Sequence, residues 1–223
     1  MKKNLLFCAV GQTLLIAVVS VAVVLAGCGK QETAQMTSGV DNETIRTIMS
    51  RKSVRAFTEE AIPAAYMEAM LKAAMAAPTG SNIQPWHFVV LTDKSRYEKM
   101  FEGNTNMRIY NSSAAIVVLC ADTTVTRVPK NDPNGVPVTK PNRMWRDDMG
   151  ACTENFLLAA ESLGLGAVWT ALYPFADCYT SVKRELGLPD NLMPYCAVAV
   201  GLPANDNQPK DKWKPERIHY ERW

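Results

Sequence analysis

The sequence predicts an α+β domain of packed layers, because helical and strand patterns alternate along most of the 223-residue chain. The strongest helical pattern runs from Asp148 to Leu163, with one apolar stripe formed by Met149, Cys152, Phe156, Ala160 and Leu163. Two short runs rich in β-branched residues, Trp86 to Leu91 and Ala114 to Cys120, are typical of interior strands.

The other segments continue this alternation. Helices are predicted from the cap Asn42, from Pro63 to Ala77, near Lys94 to Phe101 and near Asp177 to Leu186, and further strands at 167–170 and 195–200. In the first helix Ile45, Ile48 and Met49 share one face. Residues 103–113 are predicted to be irregular. Residues 122–146, rich in Pro, Asn, Lys and Thr, are predicted to leave the domain as a lid or a dimer arm.

The N-terminus has the pattern of an export signal. Residues 1–27 begin with two lysines, continue with a long apolar run and end in small residues. Leu25-Ala26-Gly27-Cys28 looks like the bacterial lipobox, in which the cysteine is acylated and becomes the first residue of the mature chain. We therefore expect a lipoprotein signal at 1–27, a lipidated Cys28 with a flexible tether at 28–40, and one domain at 41–223. The alternative is an uncleaved signal anchor, because the apolar run is long enough to span a bilayer.

Either form of the N-terminus would hold the domain to a bacterial envelope membrane, outside the cytoplasm, on a periplasmic or surface face. Without residues 1–27, the sequence contains 22 acidic and 22 basic side chains. This balance argues against a nucleic-acid partner, which needs a strongly basic face.

The cysteines and histidines do not form a metal-ligating pattern. Cys120 and Cys196 lie in apolar runs and are expected to be core residues, while a disulfide among Cys120, Cys152, Cys178 and Cys196 stays open. The two histidines are far apart, and His87 is expected to have a packing role in a strand. No metal site is predicted.

Three separated segments carry candidate ligand-binding groups. Residues 51–57 (RKSVRAF) combine cations with a hydroxyl, which suits a phosphate. Residues 78–86 (PTGSNIQPW) offer amides that pair with a ring displaying donors and acceptors, and Gly80 permits close approach of the backbone. Residues 209–214 (PKDKWK) add positive charge. Taken singly, the three segments can also be interpreted as a solvated helix end, a loop before a strand and a charged tail.

In this order, and with Leu-Gly-Leu-Gly-Ala-Val-Trp at 163–169, the motifs resemble the nitroreductase family of flavoproteins over about residues 43 to 220. The resemblance implies a central, mostly antiparallel β-sheet flanked by helices, in an intertwined homodimer with two FMN sites built from both chains. It also implies an oxidoreductase that transfers electrons from NAD(P)H or another donor to a flat acceptor such as a nitroaromatic or quinone.

The resemblance carries roles onto individual positions. Arg51 and Ser53, with Lys210 and Lys212, would hold the FMN phosphate, and Lys52 would contribute its backbone or charge. Arg55 would act catalytically by stabilising charge at the flavin N1 and C2 oxygen. The other implied cofactor-binding residues are Pro78, Thr79, Gly80, Asn82 and Gln84 from the partner subunit, Asn106 near the pyrimidine ring beside Arg108, and the turn Thr170, Ala171 and Leu172, which offers an N–H to N5. The family often has glycine or glutamate at Ala171 and Leu172, and arginine at Lys212.

Two questions stay open at this level. A dehalogenase-like or flavin-consuming member of the family would share the phosphate motif, and a flavin-binding lipoprotein with little turnover would share the fold. The physiological substrate is also open, as is the electron donor outside the cytoplasm, where nicotinamide cofactors are not the expected supply.

Overall fold

The computed structural model describes residues 41–223, which form one compact unit. Within these residues the α-helices are α1 Glu43–Ser50, α2 Ala64–Met75, α3 Tyr97–Met100, α4 Met107–Ser112, α5 Trp145–Ser162 and α6 Ala176–Leu186. The strands of the same region are β1 Trp86–Leu91, β2 Ala115–Asp122, β3 Thr124–Arg127, β4 Val138–Pro141, β5 Gly166–Ala171 and β6 Leu192–Gly201. The predicted signal, Cys28 and the tether fall outside the described residues. Within residues 41–223, no helix is both long and apolar enough to cross a bilayer.

The centre of the domain is a four-stranded antiparallel sheet in the order β1-β2-β6-β5. Successive side chains of β2 point to opposite faces, so the strand contributes to two apolar clusters. Ala115, Val117, Leu119 and Ala121 pack on the side of α2 and α5, whereas Ile116, Val118 and Cys120 pack on the side of α3 and α6. The predicted α+β class, with helices flanking a mostly antiparallel sheet, is confirmed.

Helix α5 contributes more buried residues to the cluster on the side of α2 and α5 than any other single element. Met149, Cys152, Phe156 and Ala160 are fully buried, as the apolar stripe predicts, and Leu163 packs against the same cluster from just beyond the helix. The prediction that Cys120 and Cys196 are core residues is also confirmed. The four cysteines of the described region are free thiols, and burial raises the pKa of Cys120 and Cys152 to about 12.

Helix α1 begins where its cap predicts, because the Asn42 side chain accepts a hydrogen bond from the Ile45 N–H at 3.0 Å. Its apolar face is not covered within the described chain, however. Ile48 and Met49 are 46% and 50% exposed. Side chains of this type contribute free energy only when they are removed from water, so α1 leaves an apolar surface for some further partner.

Two predictions of local structure were wrong, and a third segment has more structure than its composition indicates. Residues 103–113 contain the helix α4, whose Tyr110 is buried by packing that composition does not reveal. Residues 122–146 contain the largely exposed hairpin β3–β4, which lies outside the four-stranded sheet and is too polar to give a strand pattern; its role as a lid or a dimer arm stays a prediction. His87 is exposed on β1 and is not packed in the core.

The segment after α1 runs along the free edge of β5. The Val54 N–H donates to the Ala167 carbonyl at 3.0 Å, and Phe57 pairs with Pro203 beyond the end of β6. Val54 and Phe57 are both buried. Val54 lies against Gly166 so closely that an added Cβ there would come within 2.6 Å of it. The absence of a side chain at Gly166 therefore allows residues 51–57 to lie against the sheet.

We predict that Gly166→Ala lowers the free energy of unfolding by about 1–3 kcal/mol, because the new methyl group overpacks against Val54. Urea denaturation at a fixed FMN concentration measures this change. The matched control is Gly150→Ala on α5, where an added Cβ meets only the Tyr195 hydroxyl at 3.8 Å. There we expect no loss, or a gain of about 0.5–1 kcal/mol from the better helix former. Equal stability of the two variants would contradict the close packing of Val54.

Candidate functional site

The segment 51–55 carries cations that are held in place by α5. The Arg51 Nε lies 2.9 Å from a carboxylate oxygen of Glu154, and the Arg51 side chain is only 18% exposed. Lys52 pairs with Glu161, about two turns further along the same face of the helix, at 3.2 Å. The ion pair with Glu154 uses one of the five guanidinium N–H donors of Arg51. The pair therefore orients the guanidinium group and leaves its two terminal nitrogens available to a ligand.

Ser53 and Arg55 face outward because Val54, between them, faces the core. Arg55 folds back towards the segment, with Nη1 3.4 Å from the Ser53 carbonyl oxygen. The structure thus brings Arg51, Ser53 and Arg55 together along one edge of β5. Lys210 and Lys212 are exposed in the C-terminal segment, and in residues 41–223 no hydrogen bond or ion pair links them to Arg51 or Ser53.

Thr170, Ala171 and Leu172, the residues predicted to offer an N–H to a flavin, differ in the direction of their backbone and side-chain groups. Thr170 has a buried side chain, and Leu172 is fully buried with its N–H donating to the Tyr195 carbonyl at 3.2 Å. Successive N–H groups of a strand point to opposite sides. The N–H of the exposed residue Ala171 is therefore directed to the outer edge, the side along which Ser53 and Val54 run. Of the three, Ala171 is the residue that offers a backbone donor to a ligand.

The loop 78–84 is held in an unusual backbone conformation. Ser81, Asn82 and Gln84 all have φ near +55°, a region that costs free energy for residues other than glycine. Two charged side chains fix this loop from outside: Asp148 of α5 accepts from the Gly80 N–H at 2.8 Å, and Arg127 of β3 donates to the Ser81 carbonyl at 2.8 Å. The side chains of Asn82 and Gln84 remain exposed.

Asp148 is a site residue that sequence reasoning missed. It is 4% exposed, and its second carboxylate oxygen has no hydrogen-bond partner within the described part of the chain. A buried carboxylate oxygen left in this state is costly, so such groups mark functional positions. The available signal was its place one turn before Cys152 on the buried stripe of α5, where a carboxylate is not expected.

Asn104 and Tyr110 were also missed. Asn106, which was predicted, donates from its backbone N–H and from Nδ2 to Asn104 Oδ1, both at 2.9 Å. Asn104 Nδ2 lies 3.3 Å from the Tyr110 hydroxyl, which lies 2.6 Å from Thr170 Oγ1. These contacts connect Asn106 to the end of β5, next to Ala171. Nothing in the sequence pattern indicates this pairing, because the partners are 60 residues apart.

The two groups of predicted residues attach to different faces of α5. Asp148 holds the loop 78–84, and Glu154 holds Arg51. Six helical residues correspond to a rise of about 9 Å and a rotation that leaves the two side chains about 120° apart. A groove of about 440 Å³ between α1, α2 and α5 is lined by none of the predicted cofactor residues. Among residues 41–223 there is also no cluster of three or more metal-ligating side chains.

A mixed α+β domain with cations on one sheet edge and a strained amide-bearing loop defines a protein that can bind a phosphorylated ring compound. The model of the nitroreductase family matches residues 48–115 and 113–202, and this chain belongs to that family. A candidate NADH dehydrogenase/NAD(P)H nitroreductase of Archaeoglobus fulgidus is 35% identical over 184 residues, covering 81% of this chain and 99% of the relative.

Solved structures show the same relationship. A candidate NADH dehydrogenase/NAD(P)H nitroreductase of Bacteroides thetaiotaomicron is 33% identical with a TM-score of 0.73, covering 82% of this chain and 100% of its own. The NADPH:FMN oxidoreductase of Vibrio harveyi, complexed with NAD+, is 26% identical with a TM-score of 0.68, covering 82% of this chain and 78% of its own. The family membership predicted from the three motifs is therefore confirmed.

We predict that Asp148→Ala releases the loop 78–84. Losing a hydrogen bond to a charged acceptor worth about 1.5–3 kcal/mol should speed exchange of the Gly80 amide by about ten- to hundredfold. Hydrogen exchange of the peptide covering 78–84 measures this. Asp147→Ala is the control, because Asp147 lies in the same first turn of α5 but is exposed. If both variants left Gly80 equally protected, Asp148 would not be the anchor of the loop.

Proposed function

We propose that this chain is an FMN-dependent oxidoreductase that takes electrons from NAD(P)H or another donor and delivers them to a flat acceptor such as a nitroaromatic or a quinone. One observation carries the proposal. The Val54 hydrogen bond to Ala167 fixes Arg51 and Ser53 on the same edge of β5 as the outward N–H of Ala171. An anion-binding group and a ring-edge donor are thereby presented by one rigid element.

The residues present fit FMN in their chemistry. A partly buried guanidinium beside a serine hydroxyl suits a dianionic phosphate, and Lys210 and Lys212 would add charge from the exposed C-terminal segment. Lys52 is paired with Glu161, so its contribution would come through its backbone. The loop residues Pro78, Thr79, Gly80, Asn82 and Gln84 would supply donors and acceptors to the polar edge of the ring.

Bound FMN would supply the electron chemistry, and this chain's residues would bind and polarise it. Arg55 is an exposed cation on the edge that also carries Ser53, so it is placed to stabilise negative charge at N1 and the C2 oxygen of the ring. The Ala171 N–H would orient the ring by donating to N5. Asn106 would contact the pyrimidine edge.

We further propose that two copies form the complete site, in an intertwined homodimer. The loop 78–84 and the segment 51–55 attach to different faces of α5, which favours contributions from two chains to one ring. The exposed Ile48 and Met49 of α1 and the exposed Trp213 provide apolar surface for a second copy.

The site could also serve the alternative functions. A dehalogenase-like or flavin-consuming enzyme would use the same phosphate contacts, and a flavin-binding lipoprotein would use them without turnover. The flat acceptor is favoured because similar proteins are named for the reduction of flavin or nitro compounds, as an NADPH:FMN oxidoreductase and an NADPH nitroreductase.

We predict that the full chain, purified in mild detergent, is yellow, and that Arg51→Ala weakens FMN binding by about ten- to hundredfold. Riboflavin binding should change little, because riboflavin lacks the phosphate. Fluorescence titration measures both affinities. Arg46→Ala, on helix α1 just before Arg51 but exposed and paired with Asp41, should leave both affinities unchanged.

The same preparation separates the alternatives. Bleaching of the colour by NADPH and its return with a nitroaromatic would support the flat-acceptor reductase, whereas bound FMN without turnover would favour the carrier. A colourless protein that binds no added FMN would exclude the whole proposal.

For the N-terminus we propose acylation of Cys28 and attachment to a bacterial envelope membrane, outside the cytoplasm. The support is the sequence Leu25-Ala26-Gly27-Cys28 at the end of the apolar run. A domain on that side of the membrane would need a donor other than cytosolic NAD(P)H. This makes the electron donor the least constrained part of the reaction.

We predict that the chain expressed in a bacterial host incorporates a labelled fatty acid and sediments with membranes, and that Cys28→Ala abolishes the label. Cys178→Ala, which changes a partly exposed cysteine of the domain, should keep it. Gel fluorescence of an alkyne-labelled fatty acid measures both. An unlabelled wild-type chain that sediments with membranes would show an uncleaved signal anchor and would contradict acylation.

A further inference from the structure

A continuous chain of side-chain hydrogen bonds runs from Asn106 into the core. Its links are Asn106 to Asn104 at 2.9 Å, Asn104 to Tyr110 at 3.3 Å, Tyr110 to Thr170 at 2.6 Å and Thr170 to the Ala197 carbonyl at 2.6 Å. Tyr110 is fully buried, and Asn104 and Thr170 are nearly so. Asn106, at the outer end, is partly exposed.

The direction of every link is fixed by backbone groups at the two ends. The Ala197 carbonyl can only accept, so the Thr170 hydroxyl donates to it, and the Tyr110 hydroxyl must then donate to Thr170. The Tyr110 oxygen therefore accepts from Asn104 Nδ2.

At the other end, the backbone N–H of Asn106 can only donate, so Asn104 presents Oδ1 to it. The amide of Asn106 also meets Asn104 Oδ1 and must turn its NH2 group inward. The Oδ1 of Asn106 is consequently turned away from Asn104 and the other hydrogen-bonded side chains. A side-chain amide that could rotate freely in solution is thereby set as an acceptor.

Burial keeps this arrangement constant with pH. It raises the pKa of Tyr110 to about 12, so the hydroxyl stays protonated and remains a donor at any physiological pH. Phe101 packs against the Tyr110 ring at 4.3 Å between centroids and limits its movement.

We propose that Asn104 and Tyr110 are positioning residues that hold the Asn106 amide with its oxygen towards the imide N–H (N3–H) of the flavin. This inference rests on the proposed function and adds a determinant to its site. The pyrimidine edge of the ring has one N–H between two carbonyl oxygens, so an acceptor in a fixed orientation recognises that position alone. At the inner end of this series of hydrogen bonds lies Thr170, next to Ala171. The same hydrogen bonds therefore connect Asn106 with the end of β5, the two places proposed to face the ring.

The test compares Tyr110→Phe with Tyr97→Phe. Both tyrosines are fully buried in the same cluster, and the Tyr97 hydroxyl donates to the Leu91 carbonyl at 3.1 Å, so each variant loses one buried hydroxyl. Only Tyr110 belongs to the series of hydrogen bonds that ends at Asn106. Affinities of the full chain are measured for FMN and for N3-methyl-FMN, in which the N–H is replaced by a methyl group.

We expect Tyr110→Phe to weaken FMN binding by about three- to tenfold, the value of one neutral hydrogen bond, and to leave N3-methyl-FMN nearly unchanged. Asn104→Ala, a second break in the same chain, should repeat this ligand-specific loss. Tyr97→Phe should affect both ligands equally or not at all.

Each other outcome has a distinct meaning. An equal loss for both ligands in the Tyr110 and Asn104 variants, or no loss for either, would overturn the positioning role and leave the proposed function intact. A wild-type chain that binds neither ligand would overturn the proposed function, and this assignment with it.

Discussion

The packing of α5 against the sheet is the interaction on which the candidate site depends. Met149, Cys152 and Phe156 are fully buried against the sheet, and this apolar contact fixes how the helix is rotated. Once the rotation is set, the polar positions beside the stripe are set as well. Glu154 then reaches Arg51, and Asp148 reaches Gly80. The same burial that stabilises the domain therefore also places the two candidate ligand-binding segments.

Around this rigid centre, the site carries costs that other groups must offset. Three non-glycine residues with positive φ in the loop 78–84 cost on the order of 1–3 kcal/mol each. The hydrogen bond that Asp148 accepts from Gly80 and the one that Arg127 donates to Ser81 involve charged groups, which makes them the stronger kind of hydrogen bond. They offset part of this strain. The loop is thus held ready before a ligand arrives, and binding would not have to supply the free energy that orders it.

The sequence predicts those parts of this structure whose cause is local. Periodicity indicates α5, because one face of this helix is buried. Short apolar runs indicate the central strands, of which β2 is buried on both faces, and the cap Asn42 marks the start of α1. The short helix α4 and the hairpin β3–β4 lack such a pattern and were not predicted. Among the site residues, motifs indicate the groups that would touch a ligand. They do not indicate Asp148 or Tyr110, because the partners of these residues are 68 and 60 positions away and are set by the tertiary packing.

The division of these groups between two faces of α5 bears on how a complete site is built. Asp148 and Glu154 hold these two segments on sides of α5 that are about 120° apart. In the proposed homodimer, the phosphate-type segment and the amide-bearing loop of one chain would contribute to two different sites. The groove between α1, α2 and α5 does not join them, since its lining contains neither. A second copy that brings its loop to the first chain's β5 edge would resolve this, and it would also cover the exposed face of α1. Ligand binding and dimerisation would then depend on the same surfaces, so a change that weakens one would weaken the other.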